Sequence, residues 1–313
     1  MYGRLGNQLF RYAAARALQL DYYPQESLVI NFNQVIQAGE KDPSFKNYLI
    51  DYNVAPFKTY NKSGKIIINE TSIVQKTVAG AYYLGLREFQ PIQMKEELEY
   101  ERKWSPILNR VGVYWYRIGY CTLDKSRARN KLLSGSFESP NYFDKYKEQI
   151  KQEFIPKKNP LRKNAQLYTI INNTESVCVS IRRGDFETNA VNKTVHSLCN
   201  NHYFRTAIKI MGKKLSAAES PPVFIVFSDD IEWARENIKI SAQVFYEDGT
   251  DPVWEKLRMM SACKHFILSN STFSWWAQYL SNNQNKIVIS PSRWFNNDYE
   301  SPLINRDWIK VHV

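Results

Sequence analysis

Four short polar stretches carry the residue types that handle phosphate: "GRLGNQ" (3–8), "RRGD" (182–185), "SDD" (228–230) and "SNST" (269–272). Arg182 and Arg183 are adjacent, so on a strand their side chains leave on opposite faces, one toward a ligand and one toward the protein. A guanidinium fork matches phosphate in a bidentate way, and such a charge-assisted bond contributes about 1.5–3 kcal/mol. Gly184 permits a sharp turn, and Asp185 either holds an arginine or caps a helix. The plainer reading of the motif is an Arg–Asp pair that fixes a loop. Ser269, Asn270, Ser271 and Thr272 offer hydroxyls and an amide where a helix starts with free N–H groups, all neutral donors suited to phosphate oxygens. The plainer reading there is an elaborate N-cap. Gly3 and Gly6 let backbone N–H groups approach a pyrophosphate or sugar with no Cβ in the way, or simply make a tight turn. Asp229 or Asp230 supplies an acceptor, or caps the next helix. Neither GxGxxG nor GxxxxGK[ST] occurs, so ordinary dinucleotide and NTPase loops are not supported. No Ser/His/Asp or Cys/His arrangement is spaced for nucleophilic catalysis. His196 falls in a loop, whereas His202, His265 and His312 read as structural. Together these parts describe a nucleotide-diphosphate binder that uses arginine and helix N-termini.

The elements that position these residues are clearest in the C-terminal half. Apolar strands are expected at 177–181, 222–227, 242–246, 264–268 and 286–290, with helices at 201–215, 230–237, 251–263 and 272–280. Asp251 is expected as an N-cap, with Pro252 at the first helical position. Strand–helix alternation means a parallel sheet covered on both faces, and ligands of such sheets bind beyond the strands' carboxyl ends. "RRGDF" (182–186), "SDD", "EDGTD" (247–251), "SNST" and "PSRW" (291–294) all fall at those ends. Trp275 and Trp276 read as packing behind the edge. In the N-terminal half a glycine turn opens a helix, a strand follows at 27–32, and a helix is expected at 138–154. Residues 40–130 show no clear period. The turn begins at residue 3 with no strand before it, so either the start is truncated or the turn is held in another way. The boundary is placed at 158/159, giving domains 1–158 and 159–313.

The chain has 313 residues with a net charge of +11, which admits nucleic acid, an anionic membrane surface or a phosphorylated substrate as partner. The basic residues are dispersed and no zinc or RNA-binding signature accompanies them, which argues against nucleic acid. No apolar run approaches the roughly 20 residues of a membrane span, and the start lacks a signal peptide's apolar core. Cys121, Cys178, Cys199 and Cys263 form no CxxC, and Cys178 and Cys263 are expected as buried thiols of a reduced compartment. Sequons at Asn61, Asn69, Asn172, Asn192 and Asn270 are not read as proof of secretion.

"GRLGNQLFRYAAARAL", "VSIRRGDF", "VFSDDIEWARENI" and "MMSACKHFILSNSTFSWWAQYLS…KIVISPSRWF" together resemble the α-1,2-fucosyltransferases of glycosyltransferase family 11, the C-terminal half most of all the bacterial members. The resemblance implies an α/β, GT-B-like fold of two Rossmann-like domains, the parallel sheet clearest in the C-terminal half. It also implies a GDP-fucose donor, inversion at the anomeric carbon, a galactose-terminated acceptor glycan and no required metal. Arg182 would hold the β-phosphate and stabilise departing GDP. Gly3, Gly6 and Asn7 would line the cleft, Arg183 and Ser269–Thr272 would serve the phosphates, and Asp229 the nucleoside. Asp185 is preferred as base over Glu187 and His196. The N-terminal domain would be the acceptor side. The family's H-x-R-R-G-D has Ser180 in place of its histidine here. Another nucleotide-sugar transferase, a protein O-fucosyltransferase and an inactive glycan- or nucleic-acid-binding relative stay open. The compartment expected is the cytoplasm, peripheral at an anionic inner membrane in a bacterium, or the Golgi lumen for a trimmed eukaryotic form.

Overall fold

The computed structural model describes residues 1–60, 71–216 and 220–313. The sequons at Asn61 and Asn69, and the side chains of Asp185 and Asn192, lie outside what it describes. Two compact units form: one from Met1–Ile50 and Val54–Glu153, the other from Asp51–Asn53 and Phe154–Val313. The main division thus falls after Glu153, slightly before residue 158. Asp51–Asn53 joins the second unit through an antiparallel bridge between Tyr52 and Pro156.

In the N-terminal unit, helix Leu5–Tyr22 follows the glycine turn. Its Leu9, Phe10, Ala13 and Ala17 recur at helical spacing and are fully buried. Strand β1, Leu28–Asn31, pairs in parallel with β2, Phe57–Tyr60. A second parallel pair joins β3, Val113–Tyr116, to β4, Leu132–Gly135. The stretch without a readable period holds two long helices, Ile73–Phe89 and Met94–Arg110. The first starts on a capping box in which Ser72 and Gln75 each accept from the other's backbone N–H. The two helices meet through Tyr82, Tyr100 and Trp104, with ring centroids 5.5–6.1 Å apart. The helix expected at 138–154 is a correction. Tight 3-10 turns occupy Pro140–Tyr142 and Asp144–Tyr146, and the α-helix is only Lys147–Glu153. Pro140 lacks an N–H, and Ser139 accepts from Asn141 N, which sets a turn there instead.

The C-terminal unit is built on six parallel strands: β5 (Glu175–Ile181), β6 (Pro222–Ser228), β7 (Val244–Tyr246), β8 (His265–Ile267), β9 (Val288–Pro291) and β10 (Ile309–Val311). Their order is β10-β9-β8-β5-β6-β7, with Val179 opposite Val226 on one side and Ile267 on the other. Val177, Val179, Phe224, Val226, Ile267 and Ile289 pack beneath Tyr203, Phe204, Ala207 and Met211 of helix Asn201–Lys214. Burial on both faces is why these strands are continuous apolar runs. The short edge strand β10 was not expected from the sequence, nor were helices Gly184–Thr188 and Ala190–His196. His196 therefore ends a helix instead of lying in a loop. Cys178 and Cys263 are buried as expected, Cys121 is buried too, and all four cysteines are free. Among the described residues, no helix is long and apolar enough to cross a membrane.

Candidate functional site

The carboxyl end of the six-stranded sheet gathers the expected residues. Strand β5 runs into Arg182 and Arg183, and β6 into Asp229 and Asp230. Arg182 Nη1 is ion-paired with Asp229 Oδ2. The other Asp229 oxygen accepts from the main-chain N–H of Arg183 at 2.8 Å. One carboxylate thus fixes both a side chain and the turn that carries it. The two arginines diverge as strand geometry requires. Arg182 lies over Phe186, 5.4 Å from the ring centroid, whereas Arg183 stacks at 3.7 Å on Trp233 and meets Asp230 Oδ2 at 3.3 Å. Both side chains are 23 % exposed, so each is paired with an aspartate and keeps part of its surface open. Asp230 accepts from Trp233 N at 3.3 Å and so caps helix Ile231–Asn237, leaving Asp229 for the arginines.

Gly184 lies close against the Asp229 clamp. A Cβ there would stand 2.4 Å from Asp229 Oδ2 and 3.5 Å from Arg182 Nη1. Among the base candidates with described side chains, Glu187 accepts from the Ser197 hydroxyl at 2.6 Å and lies 3.6 Å from Lys193 Nζ. The His196 ring stacks on Phe186 with centroids 4.8 Å apart.

Next to β5, strand β8 delivers "SNST", and its Ser269 N–H donates to Ser180 O at 3.1 Å. Ser269 is 0 % exposed and Asn270 3 %. The Ser269 hydroxyl lies 3.0 Å from that of Ser274, which in turn lies 2.6 Å from that of Ser180. Asn270 Nδ2 donates to the carbonyls of His196 (2.9 Å) and Trp294 (3.0 Å). Both side chains are buried and hydrogen-bonded within the protein, where they position the loop. Ser271 and Thr272 are half-buried at the start of helix Thr272–Leu280, and Ser271 caps it by accepting from Phe273 N at 3.3 Å. That end presents the positive pole of the helix. Trp275 and Trp276 are buried as expected, the Trp275 indole donating to Leu303 O at 3.0 Å.

Sequence reasoning missed Ser274, which closes the hydroxyl chain, because nothing in its type separates it from an ordinary helix serine. Ser180, standing where the family has histidine, occupies a site filled by that chain. Asp251 is not a cap: helix Val253–Ala262 has Pro252 as its N-cap, and Asp251 instead binds Asn164 at 2.8 Å and Lys163 at 2.8 Å. The neighbouring acids are also held by lysines, Glu247 by Lys256 at 3.1 Å and Asp248 by Lys163 at 3.4 Å.

In the N-terminal unit, Gly3 takes a left-handed φ of +78°, and a Cβ there would stand 2.9 Å from the Asn7 Cβ. Gln8 holds the turn by donating to Gly3 O (2.9 Å) and Lys46 O (2.8 Å) while accepting from Tyr48 N (3.0 Å). Arg11 joins Gly135 O (2.7 Å) to Tyr2 O (2.6 Å). Gly3, Gly6 and Asn7 therefore sit together at a helix entrance held by side chains. The missed signal was Arg11, a charge on an otherwise apolar, alanine-rich helix face.

The family described as Glycosyl transferase family 11 matches residues 112–312, more than half of the chain. An O-antigen biosynthesis glycosyltransferase, WbnK, from Escherichia coli is 27 % identical over 99 % of this chain and 98 % of its own. An alpha-1,2-colitosyltransferase from Escherichia coli is 36 % identical over 51 % of this chain and 55 % of its own. A galactoside alpha-(1,2)-fucosyltransferase 1 from Saimiri boliviensis boliviensis is 31 % identical over 48 % of this chain and 42 % of its own, so this chain spans about half the length of these last two. The strand-end arginines, their carboxylate partners and the "SNST" helix start all fall within the matched residues, and the chain belongs to glycosyl transferase family 11.

Proposed function

We propose that this glycosyltransferase transfers fucose from GDP-fucose to the 2-hydroxyl of a β-galactoside, with inversion at the anomeric carbon. The observation that carries the reading is the Asp229 clamp, which fixes Arg182 and the Arg183 turn at the end of β5, next to the strand that leads into the Ser271–Thr272 helix start. A sugar nucleotide leaves as a diphosphate, and negative charge grows on the leaving oxygen. A guanidinium already held in place stabilises that charge without reorganising at the moment of reaction. In this reading Arg182 meets the β-phosphate, and Ser271, Thr272 and the helix N–H groups meet the remaining diphosphate oxygens. Arg183, Asp229, Ser269 and Asn270 hold these groups in place. Gly3, Gly6 and Asn7, at the helix entrance of the N-terminal unit, are assigned to substrate binding there, and that unit to the acceptor. Asp185 remains the candidate base, since Glu187 and His196 have the partners described above. With arginine supplying the positive charge, no metal is needed.

A second reading has specific support in the 36 % identity to an alpha-1,2-colitosyltransferase. Colitose is fucose without its 3-hydroxyl, so one diphosphate site serves either donor. The deciding experiment offers the purified chain GDP-fucose and GDP-colitose, with lactose and other β-galactosides, in the presence and absence of a chelator. GDP release and α-1,2 transfer of fucose that survive the chelator support the proposal. Preference for GDP-colitose moves it to the second reading. Neither hydrolysis nor transfer with either donor refutes both.

A further inference from the structure

Strand β9 ends at Pro291, and the "PSRW" loop leaves the sheet at the same carboxyl edge as the arginine turn and the "SNST" helix start. Along that edge β9 lies beside β8, and β8 beside β5. The loop is pinned on both sides of Arg293. Ser292 N donates to Val311 O of β10 at 2.8 Å, and Trp294 O accepts from Asn270 Nδ2 at 3.0 Å. The next turn is held as well: Trp294 is buried, the Phe295 ring lies 5.5 Å from the His196 ring, and Asn296 N donates to Val195 O at 2.9 Å. The backbone that carries Arg293 is therefore set in place by the same Asn270 that anchors the "SNST" loop.

The Arg293 side chain is half-buried, and its Nε is enclosed with no hydrogen-bond partner among the described residues. An enclosed N–H of a charged group is costly to leave without an acceptor, so such an atom calls for an explanation. The other two arginines of this edge differ. Arg182 is ion-paired with Asp229 and Arg183 with Asp230, so two carboxylates offset two guanidinium charges. That pairing supplies geometry and little net charge. A diphosphate bears negative charge on both phosphates and gains more on the leaving oxygen as the sugar departs. Among the described residues no carboxylate is ion-paired with Arg293, so its charge is not offset in this way.

We infer that Arg293 is a further donor-binding residue, whose guanidinium takes oxygens of the diphosphate from the β9 side while Arg182 meets it from the β5 side. The inference rests on the diphosphate site proposed above. The Nε–H and an Nη–H make a planar fork that fits two phosphate oxygens, and such a contact gives the enclosed Nε its acceptor. Because the loop is already fixed, the charge stands ready before the donor arrives.

The test titrates the full chain with GDP and with guanosine by calorimetry, for wild type, Arg293→Ala and Arg293→Lys. Thermal melts and the KM for the galactoside acceptor are measured beside it. Arg293→Ala is expected to weaken GDP about 10- to 100-fold and to leave guanosine affinity, acceptor KM and melting temperature close to wild type. Arg293→Lys is expected to recover part of the GDP affinity, since it restores the charge without the fork. Unchanged GDP affinity in Arg293→Ala overturns the inference, as does an equal loss for guanosine or a rise in acceptor KM alone. Wild-type protein that binds GDP no more tightly than guanosine removes the diphosphate site itself, and the inference with it. If Arg293→Ala does not fold, Arg293→Gln, which keeps the buried stem, is read against the same outcomes.

Discussion

Replacing Gly184 by alanine separates the two things the Asp229 clamp does. The new Cβ would stand 2.4 Å from Asp229 Oδ2, and ordinary contact begins at 3.4 Å, so that oxygen must withdraw by about 1 Å. The obstructed atom is the tip of a rotatable side chain, and Gly184 is not among the left-handed glycines, so the backbone accepts alanine. Folding therefore changes little. Weakening the bond from Arg183 N to a partly exposed carboxylate costs at most about 1.5–3 kcal/mol, and the lower freedom of alanine in the unfolded chain returns about 0.4–1. A net loss near 1 kcal/mol shifts the melting temperature by about 2–4 °C. Catalysis is more sensitive, because where the carboxylate goes Arg182 follows, and a 1 Å misplacement costs about 10²-fold. The assay measures initial rates of GDP release and fucosyl transfer beside a thermal melt. The expected outcome is a kcat about 10²-fold down in a protein that melts within a few degrees of wild type. Wild-type turnover in the alanine variant would show that the Asp229–Arg182 geometry does not matter to the reaction.

Three further outcomes are expected. Arg182→Ala should lower kcat about 10²–10³-fold, and Arg182→Lys should recover only part because a point charge replaces a planar fork; rates with GDP-fucose check both. Ser180→Ala should keep activity and cost about 1 kcal/mol, since Ser274 keeps Ser269 as partner, whereas Ser180→His should overpack the buried chain by about 1–3 kcal/mol in a denaturant melt. Burial pushes the Glu101 carboxyl from 4.5 up to about 8, so the folded form holds a proton that the unfolded form releases. Its contribution to stability is present below about 4.5 and is lost as pH rises to about 8. Melting temperature against pH should flatten over that window in Glu101→Gln.

The C-terminal sheet was readable because its strands are buried on both faces and must be continuous apolar runs, as at Val177–Ile181 and Val223–Phe227. The helices Ile73–Phe89 and Met94–Arg110 were not, because exposed apolar residues break their period: Ile73 is 81 %, Val74 60 % and Ile107 51 % exposed. The arginine turn was legible in part: the Arg–Asp pairing foreseen for it is present, with Asp229 and Asp230 as the partners. The internal partners of Ser269 and Asn270 were not legible. A hydroxyl or amide at a helix entrance serves ligand and packing equally well, and only the neighbours at Ser274, His196 and Trp294 decide. Asp251 shows the same limit, since the Asp-Pro cap signature is local whereas its partner Asn164 is distant in sequence.

The buried thiols also turn the molecule into its own unfolding gauge. Burial pushes Cys121 up to about 12, Cys178 and Cys263 are fully enclosed, and the half-buried Cys199 thiol is likewise raised to about 12 by its surroundings. Because the thiolate is the form that alkylates, native protein should resist iodoacetamide at neutral pH. Cys121 lies in the N-terminal unit and the other three in the C-terminal unit. Peptide mapping after pulsed labelling then reads the opening of each unit separately, with no probe to introduce and no residue of the proposed site disturbed.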